Sequence, residues 1–248
     1  MLVEVQNVSK RFTLREARAD HLSAILTALF RDRKIAPRRN FWALRDISFG
    51  LDRGQSMGVI GTNGSGKSTL LKLINQTMRP TTGCVKVNGR RSALIELGAG
   101  FHMDFPGRDN AMLASMIMGM TQRQARERID DILAFAELEQ FAQTPIKYYS
   151  SGMQARLGFS VAVAVKPDLL IVDEVLAVGD ARFVEKCRKR IREMQGDGVS
   201  VLLVSHNLDD VSSVCDNALW IEKGVVRAFG PSGEVIAQYQ DFLSEAGS

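Results

Sequence analysis

Apolar runs of four to six residues alternate along this chain with stretches in which apolar residues recur every three or four positions. The first pattern suits strands buried on both faces of a parallel sheet, and the second suits the helices that cover them. Together they predict an α/β fold with a largely parallel sheet. Strands are expected at residues 3–8, 43–51, 56–60, 169–172 and 199–204. Residues 218–221 and 225–229, joined by Glu222-Lys223-Gly224, read as a late hairpin. A helix is expected over 122–141, with Ile129, Ile132, Leu133 and Phe135 on one face, and a terminal helix opens at Pro231-Ser232. The Met-rich stretch from Gly98 to Tyr149 reads as a helical lobe in which Met112, Met116, Met118 and Met120 serve as adaptable packing.

Composition narrows the class. A chain of 248 residues accommodates one domain, and neither two ATPase cores nor long coiled-coil arms. The longest apolar run is five residues, from Val161 to Val165, far short of a membrane span. The opening Leu2-Val3-Glu4-Val5 does not read as a secretory leader. Cys84, Cys187 and Cys215 have neither metal-ligand nor disulfide spacing, which fits a reduced, cytosolic setting. The net charge is +4, yet residues 10–39 alone hold nine Lys or Arg against three Asp or Glu. The basic excess therefore belongs to one segment, which argues against a uniformly basic nucleic-acid binder.

The chemistry begins at Gly61-Thr62-Asn63-Gly64-Ser65-Gly66-Lys67-Ser68, a complete phosphate-binding loop pattern between a strand and a helix opening at Ser68-Thr69. Glycines let backbone N–H groups turn toward phosphate oxygens, and the helix N-terminus adds a positive dipole. Lys67 would bridge the outer phosphates of ATP, and the Ser68 hydroxyl would ligate Mg²⁺. A buried apolar strand then delivers Asp173 and Glu174 at its carboxyl end. Two carboxylates there are costly without a cation or proton. Asp173 is expected to hold the Mg²⁺ shell, and Glu174 to act as general base on an attacking water.

Two further segments repeat the theme. Val201-Leu202-Leu203-Val204-Ser205-His206 delivers His206 at a third strand end, where it could contact the terminal phosphate or simply fill a loop. Ser150, Ser151 and Gly152 open another helix, either as ordinary caps or as a second anion-receiving helix end.

These motifs, in this order, resemble the nucleotide-binding subunit of ABC transporters. Residues 61–68 are similar to Walker A and residues 169–173 to Walker B. Tyr149-Ser150-Ser151-Gly152-Met153-Gln154 is similar to the signature sequence, with Ser151 and Met153 replacing a glycine and a glutamine. The resemblance makes Glu174 the catalytic glutamate, His206 the switch histidine, Asp180 the D-loop aspartate and Phe12 the adenine-stacking aromatic. Glu96 stands where most members carry a metal-contacting glutamine. It implies an ABC ATPase core over residues 1–248, with an N-terminal antiparallel β element and a helical signature lobe at about 98–165. It also implies a head-to-tail homodimer, each ATP lying between one copy's Walker A and the other's signature, and a polytopic membrane subunit.

Glu96-Leu97-Gly98-Ala99-Gly100-Phe101, Pro106-Gly107-Arg108-Asp109-Asn110 and the residues from Asp173 to Asp180 resemble the polysaccharide-export branch, notably O-antigen exporters of the Wzt type. That branch implies ATP-driven export of a lipid-linked polysaccharide from the cytoplasmic face of the inner membrane. Capsule or teichoic-acid export is the alternative. A soluble ABC ATPase is disfavoured by length, and a P-loop kinase by the Ser150–Gly152 and Asp173-Glu174 motifs. The carbohydrate-binding module of some relatives is expected to be missing, with about 18 residues following Gly230. Finally, residues 15–40 form a basic insertion in which Leu22, Ile25, Leu26, Leu29 and Phe30 share a helical face. It would either pack on its own domain or lie near anionic headgroups and the lipid-linked substrate.

Overall fold

The computed structural model describes residues 1–15, 38–94, 100–173 and 180–246. The insertion helix, Glu96 and Glu174 lie outside the described residues. A three-stranded antiparallel sheet, in the order β2-β1-β4, consists of β1 (Val3–Arg15), β2 (Arg38–Leu51) and β4 (Thr82–Val87). A six-stranded sheet, in the order β5-β6-β7-β3-β8-β9, is built from β3 (Ser56–Ile60), β5 (Arg91–Ala93), β6 (Leu169–Asp173), β7 (Ser200–Val204), β8 (Asn217–Glu222) and β9 (Val225–Pro231). All its pairings are parallel except β8–β9.

The parallel strands are buried on both faces, as their apolar runs predict. Leu170 and Val172 of β6 enter one core with Phe159, Phe183 and Leu203, while Leu169 and Ile171 enter another with Leu70, Leu71 and Val204. A third core belongs to the helical region. It is formed by α2 (Gly107–Ile117), α3 (Gln122–Ala136) and the inner side of α4 (Ser151–Ala164). Helix α4 serves two cores, since Leu157 and Val161 face the lobe while Phe159 and Val163 face the sheet. Of the four methionines, Met112 and Met118 pack against this lobe core, whereas Met116 is exposed.

Three expectations need correction. The first two strands run well beyond 3–8 and 43–51, because β1 and β2 continue as a hairpin ladder as far as Arg15↔Arg38. The ladder thus absorbs both ends of the proposed 15–40 insertion. Helix α3 opens with a Thr121–Gln124 capping box, but it stops at Ala136 rather than Phe141. Glu137 turns left-handed there with φ 60°, and residues 139–141 form a separate 3₁₀ turn. Strands β4 and β5 were not expected; the first is a largely exposed edge, and the second is only three residues long.

The remaining helices complete the sheet's cover. They are α1 (Lys67–Ile74), α5 (Ala181–Gly196), α6 (Leu208–Val214) and α7 (Ser232–Ala246). Val235, Ile236 and Tyr239 of α7 are buried, as the terminal pattern requires.

Candidate functional site

The phosphate loop leaves the fully buried strand β3 and enters α1, whose first turn carries no acidic residue. The anion-attracting end of that helix is therefore uncompensated by its own side chains. Gly66 caps α1 at φ 112°, where a Cβ would stand 2.6 Å from the Ala43 carbonyl oxygen. Only glycine fits this backbone and this close approach of β2. Lys67 is 6% exposed and donates to the Gly61 and Thr62 carbonyls at 2.8 and 3.0 Å, so its ammonium lies inside the loop.

The β8–β9 turn holds the loop from the far side. The Gly224 N–H donates to Ser65 O at 2.9 Å, and the Thr62 hydroxyl donates to the Glu222 carboxylate at 3.2 Å. The Arg45 N–H of β2 donates to Gly224 O at 2.7 Å, so hairpin, turn and loop are tied together. The Ser65 hydroxyl is buried in the loop with no hydrogen-bond partner.

A cleft of about 360 Å³ opens over this loop. Phe12, Phe41 and Ala43 line it from the β1–β2 hairpin; Asn63, Gly64, Gly66, Lys67, Ser68 and Thr69 line it from the loop and α1. The expected aromatic Phe12 and phosphate loop therefore share one cavity. Strand register brings two further candidates to the same end of the sheet. Asp173 closes β6 opposite Val204 of β7, and Val204 in turn pairs with Val59 of β3. His206 follows β7 by two residues and is exposed. Asp173 and Ser68 are hard oxygen donors of the kind Mg²⁺ takes while keeping waters of its own.

Ser150, Ser151 and Gly152 do not line this cleft. Ser150 caps α4, accepting the Met153 N–H at 3.2 Å, and both serines are exposed. Asp180 caps α5 by accepting the Phe183 N–H at 2.9 Å, and it also accepts from Arg156 of α4 at 2.8 Å. The Phe183 N–H, with Arg156 beside it, holds the Asp180 carboxyl below its ordinary value. Arg156 also reaches Glu137 at 3.0 Å and lies 4.8 Å from the Phe183 ring. It thus joins α4 both to the end of α3 and to the segment that follows β6.

Comparison with known proteins follows the same lines. The family model described as ABC transporter matches residues 44–177, from β2 through the phosphate loop and α4 to just past β6. The chain belongs to the ABC transporter family. It is similar to the O-antigen export system ATP-binding protein RfbB of Myxococcus xanthus, at 44% identity over 98% of this chain, and spans 56% of that protein's length. RfbB of Klebsiella pneumoniae is 40% identical over 98% of this chain and 99% of its own. Among solved structures, the dimeric ATP-binding cassette MJ0796, in a post-hydrolysis state with ADP and Pi, superimposes with a TM-score of 0.74. It is 20% identical and covers 93% of this chain and 98% of its own, so the fold is that of the ABC ATPase cassette.

Three residues around this ABC cassette site escape a reading of the sequence. Phe41 and Ala43 look like ordinary strand formers, and only the register Phe12↔Phe41 reveals that two aromatics share a face. Arg156 lies 24 residues from Asp180 with no local pattern to connect them.

Proposed function

We propose that this chain is the ATP-hydrolysing subunit of an exporter that drives a lipid-linked polysaccharide, O-antigen foremost, across the inner membrane. One observation carries the nucleotide part: Phe12 and the phosphate loop line one cleft, strand register brings Asp173 and His206 to the loop's end of the six-stranded sheet, and the Ser150 helix end does not line that cleft. A single chain then offers two half-sites, and two copies arranged head to tail would complete two full ones. Similarity to O-antigen export ATP-binding proteins over nearly the whole chain supports the cargo class. Teichoic-acid export is the second reading, supported by similarity to the teichoic acids export ATP-binding protein TagH of Listeria monocytogenes, 38% identical over 97% of this chain and 70% of its own; capsule export rests on the sequence resemblance alone.

In this account Lys67 and the loop N–H groups bind and orient the ATP phosphates. Ser68, Asp173 and, on the family resemblance, Glu96 would hold Mg²⁺; when bound, the ion neutralises charge on the outer phosphates. Glu174 takes the proton of the attacking water, His206 contacts the terminal phosphate, and Ser150 to Gly152 of the second copy close the site. Asp180 adds to the interface between copies.

A membrane partner would meet the helical region. Met103, Phe105, Leu113, Met116, Ile117 and Tyr148 of the helical region are 40–72% exposed, apolar area that such a partner would cover. No helix among the described residues is long and apolar enough to cross a membrane, so such a partner would supply the spans. The chain would then sit peripherally at the cytoplasmic face.

Glu174→Gln tests the core of this reading. The variant should bind Mg-ATP, form a dimer by light scattering, and lose turnover on the order of 10²–10⁴-fold, the share of a general base. Near-normal hydrolysis would remove Glu174 from that role, and a strict monomer at high concentration would count against the shared site.

A further inference from the structure

Phe41 is a phenyl ring left 52% exposed at the mouth of the phosphate-loop cleft. It pairs directly with Phe12 across the β1–β2 ladder. Residues opposite each other on antiparallel strands point to the same face, with Cβ atoms about 5 Å apart. Both rings line the same cavity, together with Ala43 two residues further along β2. The Ala43 carbonyl lies against Gly66, which fixes this part of the hairpin over the loop. Phe41 therefore stands about 7 Å along the strand from the point where β2 meets the phosphate site. Lys10, whose ammonium is 5.4 Å from the Phe12 ring and donates to Arg79 O at 2.8 Å, steadies the Phe12 side of the pair.

We propose that Phe41 is a second stacking wall for the nucleobase, so that the base of ATP is held by an aromatic pair, Phe12 and Phe41, rather than by one ring. This rests on the nucleotide reading of the cleft and adds to it a residue that recognises the base. The lining at the hairpin end is Phe12, Phe41 and Ala43, which offers flat apolar area. Recognition there is by stacking area, which favours a purine over the smaller pyrimidine ring.

The test is isothermal titration of the intact chain with two ligands, Mg-ATP and Mg-tripolyphosphate; the second has phosphates but no base. Phe41→Ala should weaken ATP about tenfold, within the range that removal of one stacking aromatic produces. Tripolyphosphate affinity should not change, Phe41→Trp should restore ATP binding, and the wild-type preference for ATP over CTP should shrink in Phe41→Ala. Because the ring is exposed, its truncation should leave the fold intact. Unchanged ATP affinity in Phe41→Ala, or an equal loss for both ligands, would overturn the proposal. Failure of the wild type to bind either ligand would refute the underlying nucleotide reading, and this proposal with it.

Discussion

Replacing Gly66 by alanine separates two costs that a phosphate loop imposes on its glycines. Gly66 and Gly64 both have left-handed backbones, at φ 112° and 78°. An alanine at either position takes on strain of about 1–2 kcal/mol. Around Gly64 nothing lies within 4 Å of the place an added methyl would occupy, so strain is the whole effect on the ligand-free fold. At Gly66 the methyl would also stand 2.6 Å from Ala43 O and 2.7 Å from Leu44 Cδ2. The first distance is about 0.7 Å inside an ordinary C···O contact. Neither neighbour yields easily, because one is strand backbone and Leu44 is 0% exposed. Overpacking of this kind adds about 1–3 kcal/mol. For a chain of this size the melting temperature of Gly66→Ala should then fall roughly 3–10 °C below that of Gly64→Ala. Thermal unfolding without nucleotide measures the difference. Titration with Mg-ATP should show weaker binding in Gly66→Ala, since the loop must shift to relieve the contact. Equal melting temperatures for the two variants would refute the claim that the approach of β2 to Gly66 fixes the loop.

Burial pushes the Cys187 and Cys215 thiols up to about 12, so at pH 8 only roughly one in ten thousand of each is thiolate. Thiol titration of the folded protein should therefore show one reacting group, the exposed Cys84, and three after denaturation. Asp168 accepts the Arg90 N–H at 2.8 Å and an ion pair from Arg53, and these hold its carboxyl below the ordinary value. Its folded pKa is depressed, so its stabilising contribution is full above the unfolded value and is lost as pH falls through the folded one. The stability gap between wild type and Asp168→Asn, followed by urea unfolding, should be full at pH 7 and close in strong acid; a gap constant with pH would contradict this. Changing Arg31, Arg33 and Lys34 together to Gln should lower substrate-stimulated ATPase while basal ATPase survives; equal loss of both would assign the insertion to folding instead.

How much of this was legible depended on how locally each feature is written. Strands β3, β6 and β7 announce themselves because burial on both faces demands continuous apolar runs such as Leu169-Leu170-Ile171-Val172. The phosphate loop is legible because its chemistry needs consecutive residues. Strand β4 is hidden because it is an edge, with only Val85 and Val87 turned against a core. The end of α3 is hidden because Glu137, not a glycine, adopts the left-handed turn. Helix α5 does carry a readable stripe, Phe183, Cys187, Ile191 and Met194, but Arg and Lys residues crowd the positions between. The pairing of Phe41 with Phe12 and of Arg156 with Asp180 arises only once the chain is folded, since each joins residues more than twenty positions apart.

The central claim, that this cassette spends ATP on moving a lipid-linked polysaccharide, is tested most directly by ATPase rate in proteoliposomes containing the chain and the proposed membrane subunit. Lipid-linked glycans of O-antigen, capsule and teichoic-acid type would be added one at a time, with Glu174→Gln as the control expected to lose most hydrolysis. The account predicts that O-antigen substrate raises the rate above basal and that the control stays flat with every glycan. A rate in the wild type that none of the three glycans changes, while basal hydrolysis proceeds, would contradict it.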